Sequence, residues 1–415
     1  MRHHGLLQAT LTLLAGGALA QALPLLLGPL LTRLYTPAQF GHFTLYAAVA
    51  ANLAVVACAR YEYALPLAID ETEARDLLAL CVRVLLAVTL LSALLAAGLM
   101  ASGALAEAGL WAWLPLAVAA AGAAQLLTLW ATRGQRSVAL AAARVTQYGG
   151  AALAQAGAGL VHAGTLGLVL GPVIANAAAL SLLARPAPLG GWSALWHVPR
   201  RSWLAVARRH RDFPLLNTPH AFAGALQDTL TVGLLVAVTG EVAAGFWGLA
   251  LRYLKAPATL VGGAVSQALY PRLVQAQGVA ARAAVRQVML ILALLALPLV
   301  LVLLVYGPAL FAWAFGESWR GAGELARALA PYIGMHFIAS PLAVVTLAWR
   351  AQGWALRVAL GGQLMFLAAL GLGLHWGGLI GAAWAVSATM VLYFGVYFWS
   401  LATWKEVPDG VVCAP

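Results

Sequence analysis

The sequence predicts an all-α polytopic membrane protein of about twelve transmembrane helices, grouped as two six-helix lobes. Three observations carry this expectation. Of the 415 residues, 63% are hydrophobic and 9% charged, whereas a soluble domain carries about 25% charged residues. Charge-free stretches of membrane-spanning length recur along the whole chain, and mean hydropathy is +0.88. The basic residues are distributed with one sidedness from end to end. At about 20 residues a span, twelve spans use about 240 residues, so the connections leave no room for a large extramembrane domain.

Taken in order, residues 5–32 and 34–59 are the first two spans, parted by Arg33 and the turn at Thr36-Pro37. No small-residue cleavage site follows the first apolar run, which reads as a retained span rather than a signal peptide. Residues 84–106 and 108–132 are the third and fourth, separated by Glu107, and 145–184 holds two more folded at His162-Ala163-Gly164. Residues 213–271 are interrupted by Asp228, Glu241, Arg252 and Lys255, and divide into spans 215–239 and 241–265. Residues 288–316 and 328–349 hold one each, and 358–403 holds two, turning at His375-Trp376-Gly377-Gly378.

Orientation follows from the basic residues. With the N-terminus inside, Arg33, Arg320 and Arg327 fall outside and Arg252 and Lys255 within a span, while the other Lys and Arg side chains all fall inside. One miscounted span would invert every later loop and destroy that bias, so both termini are expected in the cytoplasm. Positive-inside topology also accounts for the net charge of +11, which removes the reason to invoke nucleic acid as a partner. The longest polar stretch, 185–212, divides the chain into lobes 1–184 and 213–415. Trp192, Trp196 and Trp203 alternate there with arginines, as in a helix lying among anionic headgroups at the cytoplasmic interface.

Enzymatic signatures are missing. Cys58, Cys81 and Cys413 have no metal spacing and read as free thiols. No His-Glu-x-x-His, Cys-x-x-Cys or Walker motif occurs, the lysines being Lys255 and Lys405 alone. No cofactor is expected. A membrane glycosyltransferase or polymerase would need a sizeable outer loop with polar catalytic groups, and the outer loops are short.

The informative residues are the charges inside the membrane, where ionisable groups mark functional sites. Asp228 falls about halfway along the seventh span. Arg252 and Lys255 fall near the middle of the eighth, three residues apart and so on one helical face. Each such charge costs roughly 2.5–3.5 kcal/mol at a span centre. They therefore face an interior, water or each other. An Asp228 pair with one of the bases would pin two helices; one acid cannot neutralise two bases, and the favoured reading is an anion-binding cavity. Gln21, Asn52, Asn217 and Gln227 are hydrogen-bonding candidates for a polar cargo, or ordinary interhelical bonds. His336, midway along the tenth span, reads as a core histidine.

The run Gly28-Pro29-Leu30-Leu31-Thr32-Arg33-Leu34-Tyr35-Thr36-Pro37-Ala38-Gln39-Phe40-Gly41 resembles the opening signature of bacterial polysaccharide biosynthesis proteins, the O-antigen flippases. Arg60-Tyr61-Glu62-Tyr63-Ala64-Leu65-Pro66 is similar to their first cytoplasmic loop, and Arg211-Asp212-Phe213-Pro214 and Ser266-Gln267-Ala268-Leu269-Tyr270-Pro271-Arg272 to the start of their second half. The resemblance implies the multidrug and toxin extrusion fold, two lobes around a central cavity opening alternately to either side of the bacterial inner membrane. It implies a polyprenyl-pyrophosphate-linked oligosaccharide as substrate, whose pyrophosphate the intramembrane Arg252 and Lys255 would take, with Asp228 to pair with the bases when the cargo leaves, Gln21 and Asn52 as candidates for sugar hydroxyls, and Arg33, in the family fold, receiving the cargo at the outer end. Membrane lipids, a coupling proton or sodium ion, a polysaccharide polymerase and a chain-length regulator are the implied partners. The alternatives are a drug or cation exporter of the same fold and, from another class, a membrane glycosyltransferase or polymerase.

Overall fold

Side-chain caps at Thr36 and Asp70 fix two of the helix starts. The computed structural model describes residues 2–103, 107–275 and 278–404; Lys405 and Cys413 lie outside the described residues. Helix α1 (Arg2–Leu34) leads into α2 (Pro37–Val55) through a capping box. Thr36 Oγ1 accepts from the Gln39 N–H, and Gln39 Oε1 accepts from the Thr36 N–H at 2.9 Å, satisfying two donors at the helix start. A 3-10 turn over Tyr61–Leu67 precedes α3 (Glu71–Ser102), whose N-cap Asp70 accepts from the Glu73 N–H at 2.7 Å. Then come α4 (Leu114–Arg133), α5 (Ser137–Val145), α6 (Ala151–Leu160) and α7 (Gly164–Leu183). A π-helical turn over Thr146–Gly150 joins α5 and α6 into one rod.

After a polar connection containing α8 (Arg200–Arg209), the chain forms α9 (Thr218–Thr239), α10 (Glu241–Leu254), α11 (Ala256–Gln275), α12 (Gly278–Phe315), α13 (Arg320–Ala348) and α14 (Gln352–Ala402). α14 is two arms broken at Gly377 and Gly378. Gly378, at φ 59° and ψ −152°, occupies a region essentially closed to other residues.

Among the described residues, eight helices are long and apolar enough by themselves to cross a membrane. With the arms of α14 taken separately, and with α2, the α5–α6 rod and the α10–α11 rod, the described residues form twelve rods. The protein is a polytopic all-α membrane protein. Several helices outrun the charge-free stretches: α3 starts at Glu71 and carries Arg75 and Arg83, the α5–α6 rod takes in Arg144, and α12 takes in Arg282 and Arg286. Charges mark where hydrocarbon ends, not where the helix ends, because arginine stems reach outward from a continuing helix.

The chain divides into two compact units, Met1–Thr229 and Leu230–Pro415, and the division falls within α9. In the first unit, small residues let helices approach closely. A Cβ at Gly16 would meet Ala141 Cβ at 2.6 Å, and one at Gly149 would meet Leu23 Cδ1 at 2.6 Å, which brings α1 against the α5–α6 rod. In the second unit, α13 packs against α10, α11, α12 and α14; a Cβ at Gly323 would sit 2.5 Å from Pro308 Cα.

The polar connection is clamped to the first unit. Leu195, Val198 and Val206 join the core built on Leu77, Leu78 and Cys81 of α3, with Trp192 and Trp203 packed against it. Arg83 lies over the Trp203 ring at 5.6 Å. Glu73 takes Arg209 at 3.3 Å and His210 at 3.1 Å. Of the three tryptophans expected among headgroups, Trp196 is the one left exposed, beside exposed Arg200 and Arg201.

Candidate binding site in the second unit

The eighth rod is not one helix. It breaks at Lys255, between α10 and α11, and Pro257 gives the reason. Proline has no N–H to donate to the carbonyl of Tyr253, and its ring crowds that carbonyl. The backbone bonds to either side persist, Lys255 N–H to Leu251 O at 3.0 Å and Thr259 N–H to Lys255 O at 3.1 Å. Arg252 thus lies in the last turn of α10 and Lys255 at its C-terminal end, where a cation suits the negative end of the helix dipole. Both side chains are half-buried.

α13 packs against both α10 and α11. Tyr332 and His336, four residues apart, share a face, with ring centroids 6.0 Å apart. Phe394 of α14 lies 6.4 Å from each, and Phe366 lies 5.9 Å from Tyr332 and 6.3 Å from Trp247 of α10. Tyr253 packs on Phe315 at 4.6 Å. Lys255 is within electrostatic range of His336. Below the break, α11 is held to α13 by Ser266, whose hydroxyl donates to Pro341 O at 3.1 Å.

The described acids of this unit are placed elsewhere, Glu406 and Asp409 lying outside the described residues. Glu317 pairs with Arg320, Glu324 pairs with Arg327 at 3.4 Å, and Glu241 begins α10. Among the described residues Lys255 makes no ion pair within 4.0 Å. Tyr332, Phe366 and Phe394 are buried among one another, so what the break offers a cargo is its two half-buried bases, which, with no described acid paired to Lys255, suit an anionic group.

The remaining sequence candidates lie in the first unit, dispersed. Gln21 is exposed on α1, and Arg33, exposed in its last turn, is about 18 Å further along at about 1.5 Å per residue. Asn52 is buried near the far end of α2, its Nδ2 without a partner. Asp228 is exposed on α9. One small cargo group therefore does not touch Gln21, Arg33 and Asn52 together. Sequence reasoning missed the break at Pro257 and the ring cluster around His336, which packs on buried Tyr332 and Phe394 as the core-histidine reading expects, within electrostatic range of Lys255. Pro257 two residues after an intramembrane lysine, and Tyr332 four residues before His336, were the available signals.

No family model matches the chain, and no curated protein matches it. Solved structures do. The chain is similar to the lipid II flippase MurJ in an inward closed conformation, at 10% identity and a TM-score of 0.70 over 95% of this chain and 90% of that one. It is similar to an inward-facing multidrug resistance MATE family transporter of the MOP superfamily, at 13% identity and a TM-score of 0.63 over 92% and 93%. It is also similar to a MOP superfamily transporter from Pyrococcus furiosus described as having a binding pocket of reversed polarity, at 15% identity and a TM-score of 0.54 over 95% and 94%. The chain therefore has the fold of the MOP superfamily transporters.

Proposed function

We propose that the protein is an inner-membrane flippase, its termini cytoplasmic, that moves a polyprenyl-pyrophosphate-linked oligosaccharide to the outer leaflet by alternating access. The observation that carries this reading is that Arg252 and Lys255 both lie at the helix break, Lys255 within electrostatic range of His336, while Glu317 and Glu324 are engaged by arginines. A pyrophosphate takes a guanidinium in two parallel hydrogen bonds and an ammonium as a point charge. The polyprenyl tail stays in lipid. Arg33, exposed at the far end of α1, receives the headgroup on the outer side. The cargo then passes to a polysaccharide polymerase and chain-length regulator, with a proton or sodium ion driving the cycle.

A second reading, a drug or cation exporter, draws on the likeness to the MATE transporter and on the exposed carboxylate of Asp228. Proteoliposomes separate the two. A flippase exposes polyprenyl-pyrophosphate oligosaccharide to an enzyme added on one side, and leaves lipophilic cations unmoved. Cation efflux without lipid flipping would overturn the flippase reading.

A further inference from the structure

The turn between α2 and α3 is built against local preference. Ala59 and Arg60 are consecutive non-glycine residues in the left-handed region, at φ 49° and 62°, which L side chains disfavour. Such strain persists only where surrounding structure imposes it. Here it lays Glu62 into the first unit's interior. Glu62 is 3% exposed and its Oε2 has no partner. Two residues earlier, the Nε of Arg60 is also buried without a partner. The guanidinium points elsewhere: Nη1 donates to the Tyr63 hydroxyl at 2.7 Å, with the guanidinium carbon 5.0 Å from the ring centroid. Gln125 of α4 donates to the same hydroxyl at 3.3 Å.

The other charges around this turn are committed. Arg133 of α4 donates to Ala68 O at 2.6 Å and Glu71 at 2.9 Å. On α3, Glu73 takes Arg209 and His210, and Asp76 takes Arg75 at 3.0 Å. Tyr61 donates to Ala207 O of the polar connection. Cys81 of α3 lies within electrostatic range of Glu62, and Arg211 and Asp212, ahead of the π turn over Phe213–Asn217 that packs on this turn, are exposed. Arg60 is the cation placed to answer a charge on Glu62.

We propose that Glu62 is a proton-binding site, protonated in the arrangement described and ionised when the Arg60 guanidinium leaves Tyr63 to pair with it. The proton passes from the carboxyl oxygen to water at the adjoining surface, and Arg60 stays a guanidinium throughout. A neutral carboxyl tolerates an unpaired buried oxygen and an ionised one does not. Burial pushes the Glu62 carboxyl above the ordinary carboxylate range, and its own backbone N–H and then the nearby Arg60 draw it only partly back. Moving Arg60 takes one of two donors from the Tyr63 hydroxyl and leaves Gln125 of α4 as the other, so protonation sets where the Arg60 side chain rests. Its use in driving a cargo rests on the flippase reading; the proton binding itself does not.

The test uses the purified full-length protein without cargo. Thermal unfolding is followed from pH 5 to 9 for the native chain, Glu62→Gln and Tyr63→Phe. A carboxyl whose pKa is raised by folding binds the proton more tightly in the folded state. Its contribution is complete below the unfolded value and is lost as pH rises through the folded value. Between the two, the unfolding constant of the native chain rises by up to about tenfold per pH unit relative to Glu62→Gln. Tyr63→Phe, which frees Arg60 for the carboxylate, moves that rise to lower pH. Superimposable native and Glu62→Gln profiles would overturn the proposal, and an unmoved Tyr63→Phe profile would overturn the part played by Arg60. Should Glu62→Gln not fold, the Tyr63→Phe shift decides alone. Failure of lipid flipping in proteoliposomes would instead count against the cargo.

Discussion

Pro257→Ala sets stability and transport against each other. The substitution returns an N–H that can reach the carbonyl of Tyr253, allowing α10 and α11 to run as one helix through Lys255. One added hydrogen bond contributes about 1 kcal/mol, and removal of a proline from a helix interior up to about 3 kcal/mol. At about 2–4 °C per kcal/mol for a moderately large domain, the melting temperature of the purified protein should rise by several degrees. Transport should fall, because a straight rod turns Lys255 out of register with His336, which α13 holds between Tyr332 and Phe394. The readouts are thermal unfolding in detergent and surface polysaccharide in a flippase-deleted strain. A variant that is more stable and exports at the native level would refute the claim that the break positions the site.

Arg252→Lys should impair export nearly as much as Arg252→Ala, because an ammonium cannot reproduce two parallel bonds to phosphate; the lost bond weakens cargo binding about 10–100-fold, measured with the purified protein. Gly323→Val should destabilise by at least about 1–3 kcal/mol in thermal unfolding, since a Cβ there meets Pro308 Cα at 2.5 Å and backbone cannot give way as a side chain can. Glu73→Gln should loosen the connection carrying α8 by weakening its hold on Arg209 and His210, read as faster limited proteolysis between residues 185 and 212. Reporters fused near Trp203 and at Pro415 should both read cytoplasmic; a periplasmic signal at either would break the topology.

The helices were legible because hydrocarbon thickness is written into composition: residues 108–132 read as a span and are the turn over Ala108–Trp113 followed by α4. The kink at Gly377 and Gly378 was legible for the same reason, as a turn inside an overlong apolar run. Helix starts were less so. Arg144 reads as a loop residue by charge, yet it continues the helix that carries α1 against Ala141 and Gly149. Trp192 and Trp203 read as lipid-seeking, since sequence does not reveal that α3 offers them a protein surface. Arg252 and Lys255 stood out because a charge in an apolar run is costly, whereas their aromatic neighbours blend into a chain that is 63% hydrophobic. Glu62 drew notice only as part of a family-like run, because its significance lies in an unpaired oxygen that geometry alone reveals.

The most direct test of the anion-site account is surface polysaccharide in a flippase-deleted strain carrying the Arg252→Ala, Lys255→Ala double variant. Membrane levels of the protein are measured in parallel. Both cations of the break are then gone while α10, α11 and α13 keep their packing residues, Leu249, Leu254 and Ala258 among them. The account predicts that export is lost from a variant inserted at the native level. Native amounts of surface polysaccharide from such a variant would contradict it.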